Sequence, residues 1–355
     1  MAVDFLKVLA QKREIVWKEI RHYLDDFINY PDYCRIPQRY ASLVRFHQKI
    51  TSEYPERKGK YLRPTLTLLT AAAMGSPEAK AIKTAAAMQI SEDWILGHDD
   101  IEDDSLERRG KPTLHKIYGK ELAINAGDTL HVVMWKILRD NFKVVAPKKA
   151  LAIIDEFYRM LNRTTLGQTV EIKWTQENRI GLTDKDIFFI MESKTAYYSI
   201  AGPMRLGAIL AGATKKQLDT IYKFGQYLGY CFQIKDDLLD LTSDFAGLKK
   251  QTGNDIYEGK RTIMLMHLFR MIKDEEKKKL MRIMKKKREA KTAAEVKWVI
   301  KMMEKDGSLT YGKKLAEKLT KQAREFFDKE LGFLSRQPAR NQLKSGINFV
   351  LERKH

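Results

Sequence analysis

His98-Asp99-Asp100-Ile101-Glu102-Asp103-Asp104 is the stretch from which the rest of the chain can be read. Four aspartates fall within six positions, and Arg108-Arg109-Gly110 follows closely. The alanine-rich apolar run before it, residues 85–96, has helical spacing. Continued as a helix, that run sets Asp99 and Asp103 one turn apart on a shared face, with Asp100 beside them. Carboxylates at this spacing repel each other. Two arrangements relieve the repulsion: an open surface with water and salt, or a cleft that holds a divalent cation. Mg²⁺ suits the second, because one or two carboxylates, phosphate oxygens and retained waters hold it.

The spacing occurs twice. Asp236, Asp237 and Asp240 repeat the Asp-Asp-x-x-Asp pattern, again in the C-terminal part of an apolar helical run. A helix C-terminus already carries partial negative charge, so both placements are electrostatically poor. Two such sites point to carboxylates that serve ligands. If the helices pack side by side, the rows can face each other across a cleft, with Mg²⁺ ions and a diphosphate between them. Basic residues supply the complementary half. Lys60 and Arg63 stand at a loop-to-helix entry, Arg108 and Arg109 follow the first row, and Lys194 lies in a mostly apolar run. Lys250 and Lys260 flank a Gly-bearing loop after the second row. Guanidinium forks and ammonium groups match phosphate oxygens.

Composition sets the limits. The chain has 355 residues, 44% of them hydrophobic and 31% charged, enough to bury a sizeable core. Lys plus Arg number 65 against 46 Asp plus Glu, a formal charge of +19 that favours anionic partners. Cys34 and Cys231 fit no metal or redox spacing and point to a reducing, cytoplasmic setting. Residues 1–12 lack the apolar core and cleavage site of a signal peptide, and no run approaches the ~20 apolar residues of a membrane span.

Helical periodicity runs from residue 3 to the C-terminus, and period-2 alternation is missing throughout. The pattern predicts helices over 3–30, 38–53, 77–105, 113–141, 148–175 and 215–242, and a break near Gly202-Pro203. No low-complexity linker divides the chain. The expected fold is all-α: one domain over 1–355, a bundle of roughly 10–13 helices around a central cleft.

In combination these motifs resemble the trans-isoprenyl diphosphate synthase (polyprenyl synthetase) family, over about residues 40–265. The resemblance rests on Gly59-Lys60-x-x-Arg63, His98-Asp99-Asp100-x-x-Asp103 with Arg108-Arg109-Gly110, Lys194-Thr195, Phe232-Gln233-x-x-Asp236-Asp237-x-x-Asp240 and the Lys250/Lys260 loop. It implies a short-chain enzyme similar to farnesyl and geranylgeranyl diphosphate synthases. Such an enzyme joins isopentenyl diphosphate head-to-tail to an allylic diphosphate through an allylic carbocation. Asp99, Asp103 and Asp236 would hold Mg²⁺, about three ions per site. Asp100, Asp237 and Asp240 would bind or orient the ions' waters. Arg108, Lys194 and Lys260 would assist the allylic diphosphate, while Lys194, Thr195 and Gln233 would line the cation. Lys60, Arg63 and Arg109 would hold isopentenyl diphosphate. The family is usually homodimeric.

Glu92 departs from the pattern, since many members carry His or Gln there against isopentenyl diphosphate. A carboxylate accepts hydrogen bonds but donates none at neutral pH. Glu92 therefore pairs with a nearby Lys or Arg, or the site is arranged differently. Ser91 and Ile95 continue the Asp99 line at four-residue steps, with Trp94 beside them. Five residues span ~7.5 Å of helix, so Trp94 is either core packing or a stop for a chain of C15 to C20. His98 and His115 are expected to be structural.

Rival readings remain. A terpene cyclase needs one diphosphate and one acidic row. A head-to-head synthase would show Asp-x-x-x-Asp spacing. A non-catalytic partner subunit is a third reading. The fourth is a basic protein using Lys277-Lys278-Lys279 and Lys285-Lys286-Lys287-Arg288, with Leu280, Met281 and Met284, against a membrane surface. No nucleic-acid partner is expected.

Overall fold

The structure is a computed structural model that describes residues 3–29, 35–242 and 252–351. In chain order its helices are α1 (Phe5–Asp26), α2 (Ala41–Glu56), α3 (Leu62–Ala73) and α4 (Ile82–Glu102). A two-stranded hairpin follows, β1 (Glu107–Arg108) with β2 (Lys111–Pro112). Next come α5 (Leu114–Tyr118), α6 (Lys120–Asp140), α7 (Pro147–Gln176) and α8 (Asp184–Ile190). A π-helical segment (Met191–Ala201) leads into α9 (Gly202–Ala211) and α10 (Lys215–Thr242). The chain ends with α11 (Asn254–Glu258), α12 (Ile263–Met271), α13 (Asp274–Lys285), α14 (Ala293–Lys305), α15 (Ser308–Glu330) and α16 (Ala339–Leu351). The all-α expectation holds, with β1 and β2 the sole strands among the described residues.

The described residues sort into two compact units. The first draws on 1–156, 203–214 and 334–345. The second draws on 157–202, 215–333 and 346–355.

In the first unit, α4 packs against α6, α3, α1 and α2. Its N-terminal half is small and apolar, and Ala85, Ala86, Ala87 and Met88 are fully buried. Small side chains let several helices approach this one closely. Asp4 starts α1 by accepting from the backbone N–H groups of Leu6 and Lys7. The helix expected from residue 77 instead begins at Ile82, after a single 3₁₀ turn at Glu78–Lys80. The helix expected over 113–141 is divided by Gly119, whose φ of +86° ends α5. The Arg108-Arg109-Gly110 turn is a hairpin, with Arg109 and Gly110 both at positive φ.

In the second unit, α10 lies along the π segment and α15. Thr183 closes a capping box with Asp186 at the start of α8. The break expected near Gly202-Pro203 is absent: the helix widens to π geometry at Met191 and narrows again at Gly202. Of the α13 residues suggested for a membrane, Leu280 and Met284 are turned inward and buried, and Met281 is partly exposed. That helix therefore offers mainly its charges to a surface. No described helix is long and apolar enough to cross a membrane.

Candidate active site

The first acidic row ends α4. Asp99 and Asp103 are partly exposed, and the Asp103 N–H bonds back to the Asp99 carbonyl, closing the last turn. Asp100 points the other way and is fully buried. Arg108 grips it, with Nε 3.0 Å from Oδ1 and 3.1 Å from Oδ2, and Nη2 also on Oδ1. The Tyr54 hydroxyl donates to Oδ2 at 2.5 Å and accepts the Leu114 N–H at 3.2 Å. Burial, and then the Asp100 charge, push the Tyr54 hydroxyl far above its ordinary value, so it stays protonated as the donor. Asp100 thus fixes Arg108 at the hairpin, beside the row. Sequence reasoning missed Tyr54, which lies 46 residues from Asp100.

The second group in this unit surrounds Arg109. Its Nη2 lies 2.7 Å from Asp93 Oδ1 and 3.9 Å from Glu92 Oε1. Its Nη1 donates to the Tyr54 carbonyl at 2.8 Å. Arg63 Nη1 is 3.0 Å from the same Glu92 oxygen. Glu92 therefore pairs with arginines, the first of its two expected alternatives. The guanidinium lies flat on Gly59, where an added Cβ would stand 2.9 Å from Nη2. Lys58 and Tyr61, on either side of Gly59-Lys60, hold positive φ of 44° and 58°, a costly conformation for such residues. Lys60 itself is exposed.

Further up α4, Trp94 stacks on His131 of α6, ring centres 4.2 Å apart and 18° from parallel. The Trp135 indole N–H donates to His131 Nε2 at 2.9 Å. Ser91 is buried and donates to the Met88 carbonyl, and Ile95 is half-buried. His98 Nε2 lies 3.2 Å from the Ile124 carbonyl and against Gly127, a packing role as expected. His115 is likewise buried, against Asp104.

The second unit carries the other row. Thr195, on the π segment, donates to Gln233 Oε1 at 2.8 Å, and Gln233 Nε2 donates to Asp237 Oδ1 at 2.7 Å. Asp236 is partly exposed and Asp237 is buried. Burial pushes Asp237 up to about 7, the Gln233 bond opposes that, and the Asp236 charge adds to it. Asp240 serves the next segment. Its Oδ1 and Oδ2 accept the N–H groups of Asn254 and Asp255 at 3.1 Å each, capping α11. Lys260, just beyond α11, lies 2.5 Å from Glu258 Oε2 and 3.8 Å from Asp255 Oδ1. Burial holds Asp255 well above the carboxylate range. Lys194 Nζ is 2.7 Å from Glu171 on α7. Glu171, Asp255 and Glu258 carried no signal in the sequence. Lys250 lies outside the described residues.

The donor set fits Mg²⁺: it consists of carboxylate oxygens, and the crowding around Asp237 is relieved by added positive charge. Among the described residues no three acidic, histidine or cysteine side chains form a closed cage. Mg²⁺ needs none, as phosphate oxygens and waters complete its octahedron.

Comparison with known proteins identifies the family. The family model for polyprenyl synthetase matches residues 44–303. A short chain isoprenyl diphosphate synthase of Methanothermobacter thermautotrophicus is 33% identical, covering 84% of this chain and 87% of that protein. A geranylgeranyl diphosphate synthase of Sulfolobus acidocaldarius is 34% identical, covering 75% and 78%. The crystal structure of geranylgeranyl pyrophosphate synthetase from Pyrococcus horikoshii superposes with a TM-score of 0.81 at 26% identity, covering 98% of this chain and 99% of that one. Geranylgeranyl pyrophosphate synthase from Corynebacterium glutamicum, solved with isoprenyl diphosphate and magnesium, shares the fold with a TM-score of 0.85 at 22% identity, covering 99% and 100%. The chain belongs to the polyprenyl synthetase family of trans-prenyltransferases.

Proposed function

We propose that this prenyltransferase condenses isopentenyl diphosphate head-to-tail with allylic diphosphates of C5 to C15, and that its main product is geranylgeranyl diphosphate. One observation carries the reading. Each of two Asp-Asp-x-x-Asp rows ends an apolar helix, and each has a basic residue locked beside it: Arg108 by Asp100, and Lys260 by Glu258.

Asp99, Asp103 and Asp236 hold the Mg²⁺ ions, about three per site, with Asp237 and Asp240 supporting them. When bound, the ions offset the diphosphate's charge and make it a better leaving group. Arg108, Lys194 and Lys260 bind the departing diphosphate oxygens. Such preset charge stabilises the developing anion without reorganisation. The carbocation left behind faces the Thr195–Gln233 pair, whose hydroxyl and amide dipoles are fixed by their bond to each other and to Asp237. Lys60, Arg63 and Arg109 hold isopentenyl diphosphate. Its double bond attacks the cation, forming the new C–C bond. The resulting tertiary cation then loses a proton to the released diphosphate. No protein nucleophile takes part.

The growing chain runs along α4 from Asp99 past Ile95 and stops at Trp94, short of the buried Ser91. The His131 stack that fixes Trp94 supports this limit, as does the similarity to geranylgeranyl diphosphate synthases. We also propose a homodimer acting in the cytoplasm. Ile124, Val132 and Trp135 of α6 are exposed, an apolar face fit for a second copy.

The test is a Mg²⁺-dependent assay with labelled isopentenyl diphosphate and C5, C10 and C15 allylic primers. A C20 product is expected. No product with any primer refutes the reading.

A further inference from the structure

Two carboxylates already occupy the arginines assigned to isopentenyl diphosphate. Glu92 and Asp93 are adjacent on α4, and the Arg63 and Arg109 guanidiniums face them at 3.0 and 2.7 Å. The paired groups balance, two cations against two anions, and exposed Lys60 adds a third cation to the proposed diphosphate site. Its inner end is dry, with Asp93 1% exposed, while Arg63 and Glu92 are partly exposed. Glu92 Oε2 and Asp93 Oδ2 are buried with no hydrogen-bond partner. An arriving diphosphate must bring further negative charge to this cluster. Like charges held within a few ångströms away from water repel strongly. Binding at both guanidiniums therefore favours displacement of one carboxylate.

The geometry identifies which. Asp93 is short and fully buried, and it carries the 2.7 Å contact to Arg109. Glu92 has a longer side chain, is partly exposed, and places a single oxygen between the two arginines, 3.0 Å from one and 3.9 Å from the other. A diphosphate can take both guanidiniums bidentately, which the single Glu92 oxygen does not. The exchange is thus feasible, but part of the binding energy is used to displace Glu92.

We propose that Glu92 is an internal competitor for isopentenyl diphosphate, holding Arg63 until substrate displaces it and so setting the KM for that substrate. This rests on the reading of Arg63 and Arg109 as its diphosphate site. Glu92 is a positioning residue, acting through Arg63 on binding and not on the reacting atoms.

The experiment compares wild type with Glu92→Gln, which keeps the shape and removes the charge. With saturating allylic primer, the KM for isopentenyl diphosphate should fall about tenfold. With saturating isopentenyl diphosphate, the KM for the primer should not move. Glu92→Ser, small and neutral, gives the same comparison if the glutamine variant fails to fold. A KM for isopentenyl diphosphate that is unchanged or raised overturns the proposal, because Glu92 would then be idle or would hold Arg63 in place for substrate. A fall in both KM values overturns it too, since a general change of charge would explain that. An inactive wild type refutes the prenyl-transfer reading instead, so the two failures are distinct.

Discussion

Gly229→Ala should damage catalysis from the back of the site. Gly225 and Gly229 sit one turn apart on α10, on the face that carries the π segment. A Cβ at Gly229 would come closer than 3.0 Å to both Cα and Cβ of Ala196. At Gly225 it would lie 2.5 Å from Ala201 Cβ and 2.8 Å from its Cα. Backbone atoms cannot swing aside, so the π segment must retreat by about 1 Å to reach ordinary carbon contact. Overpacking of this kind costs about 1–3 kcal/mol, and a backbone clash belongs at the upper end. In a chain of this size that lowers Tm by roughly 5 °C. The catalytic effect should be larger. Thr195, next to Ala196, donates to Gln233 at 2.8 Å, and Gln233 orders Asp237 at 2.7 Å. Retreat by about 1 Å stretches the first bond beyond useful length. A misplacement approaching 1 Å costs on the order of a hundredfold in rate, so kcat should fall about ten- to a hundredfold. The KM for isopentenyl diphosphate should stay put, because Arg63 and Arg109 belong to other elements. Differential scanning calorimetry with steady-state kinetics checks both halves. A variant that melts within a degree of wild type and keeps more than half of kcat would refute the packing argument.

Three further outcomes follow from other contacts. Trp94→Ala removes the ring stacked on His131 and should shift products beyond C20, read by chromatography of the dephosphorylated prenols; an unchanged product distribution means that Trp94 is core packing only. Tyr54→Phe strips a buried donor from Asp100 and an acceptor from the Leu114 N–H, so unfolding in denaturant should show a loss of about 2 kcal/mol, with looser Arg108 and slower turnover; an unmoved midpoint contradicts this. Burial would raise the Asp140 carboxyl, but bonds from Lys136, Lys143, Tyr23 and Arg139 outweigh it and hold the group well below the carboxylate range. Its folded-state pKa is depressed, so its stabilisation is present above the unfolded value near ~4 and is lost as pH falls below that. The gap between wild type and Asp140→Asn should be about 2 kcal/mol at pH 7 and should narrow steadily as pH falls below ~4 in denaturant titrations; a gap that is constant with pH rules this out.

What the sequence shows and hides follows from the range of the forces involved. Asp99, Asp103, Asp236 and Asp240 were legible because their relation is local: a 3.6-residue period places them whatever else the chain does. All-α architecture was legible for the same reason. A turn at Arg109-Gly110 was expected, but the split at Gly119 depends on one residue adopting positive φ, which an expectation of continuous helix over 113–141 passes over. The π segment lies further out of reach, since widening a helix by one residue per turn leaves no compositional trace. Its one sign was indirect, the glycines of α10 that make room for it. Partners in the site were least visible. Tyr54 meets Asp100, and Glu171 meets Lys194, only after distant helices pack. The same holds for Asp240, whose carboxylate caps α11 across the loop. Glu92 is the instructive case. Sequence alone leaves two arrangements open, because charge complementarity permits a partner without naming it. Folding supplies Arg63 and Arg109, and in doing so turns a departure from the family pattern into a charge that substrate must displace.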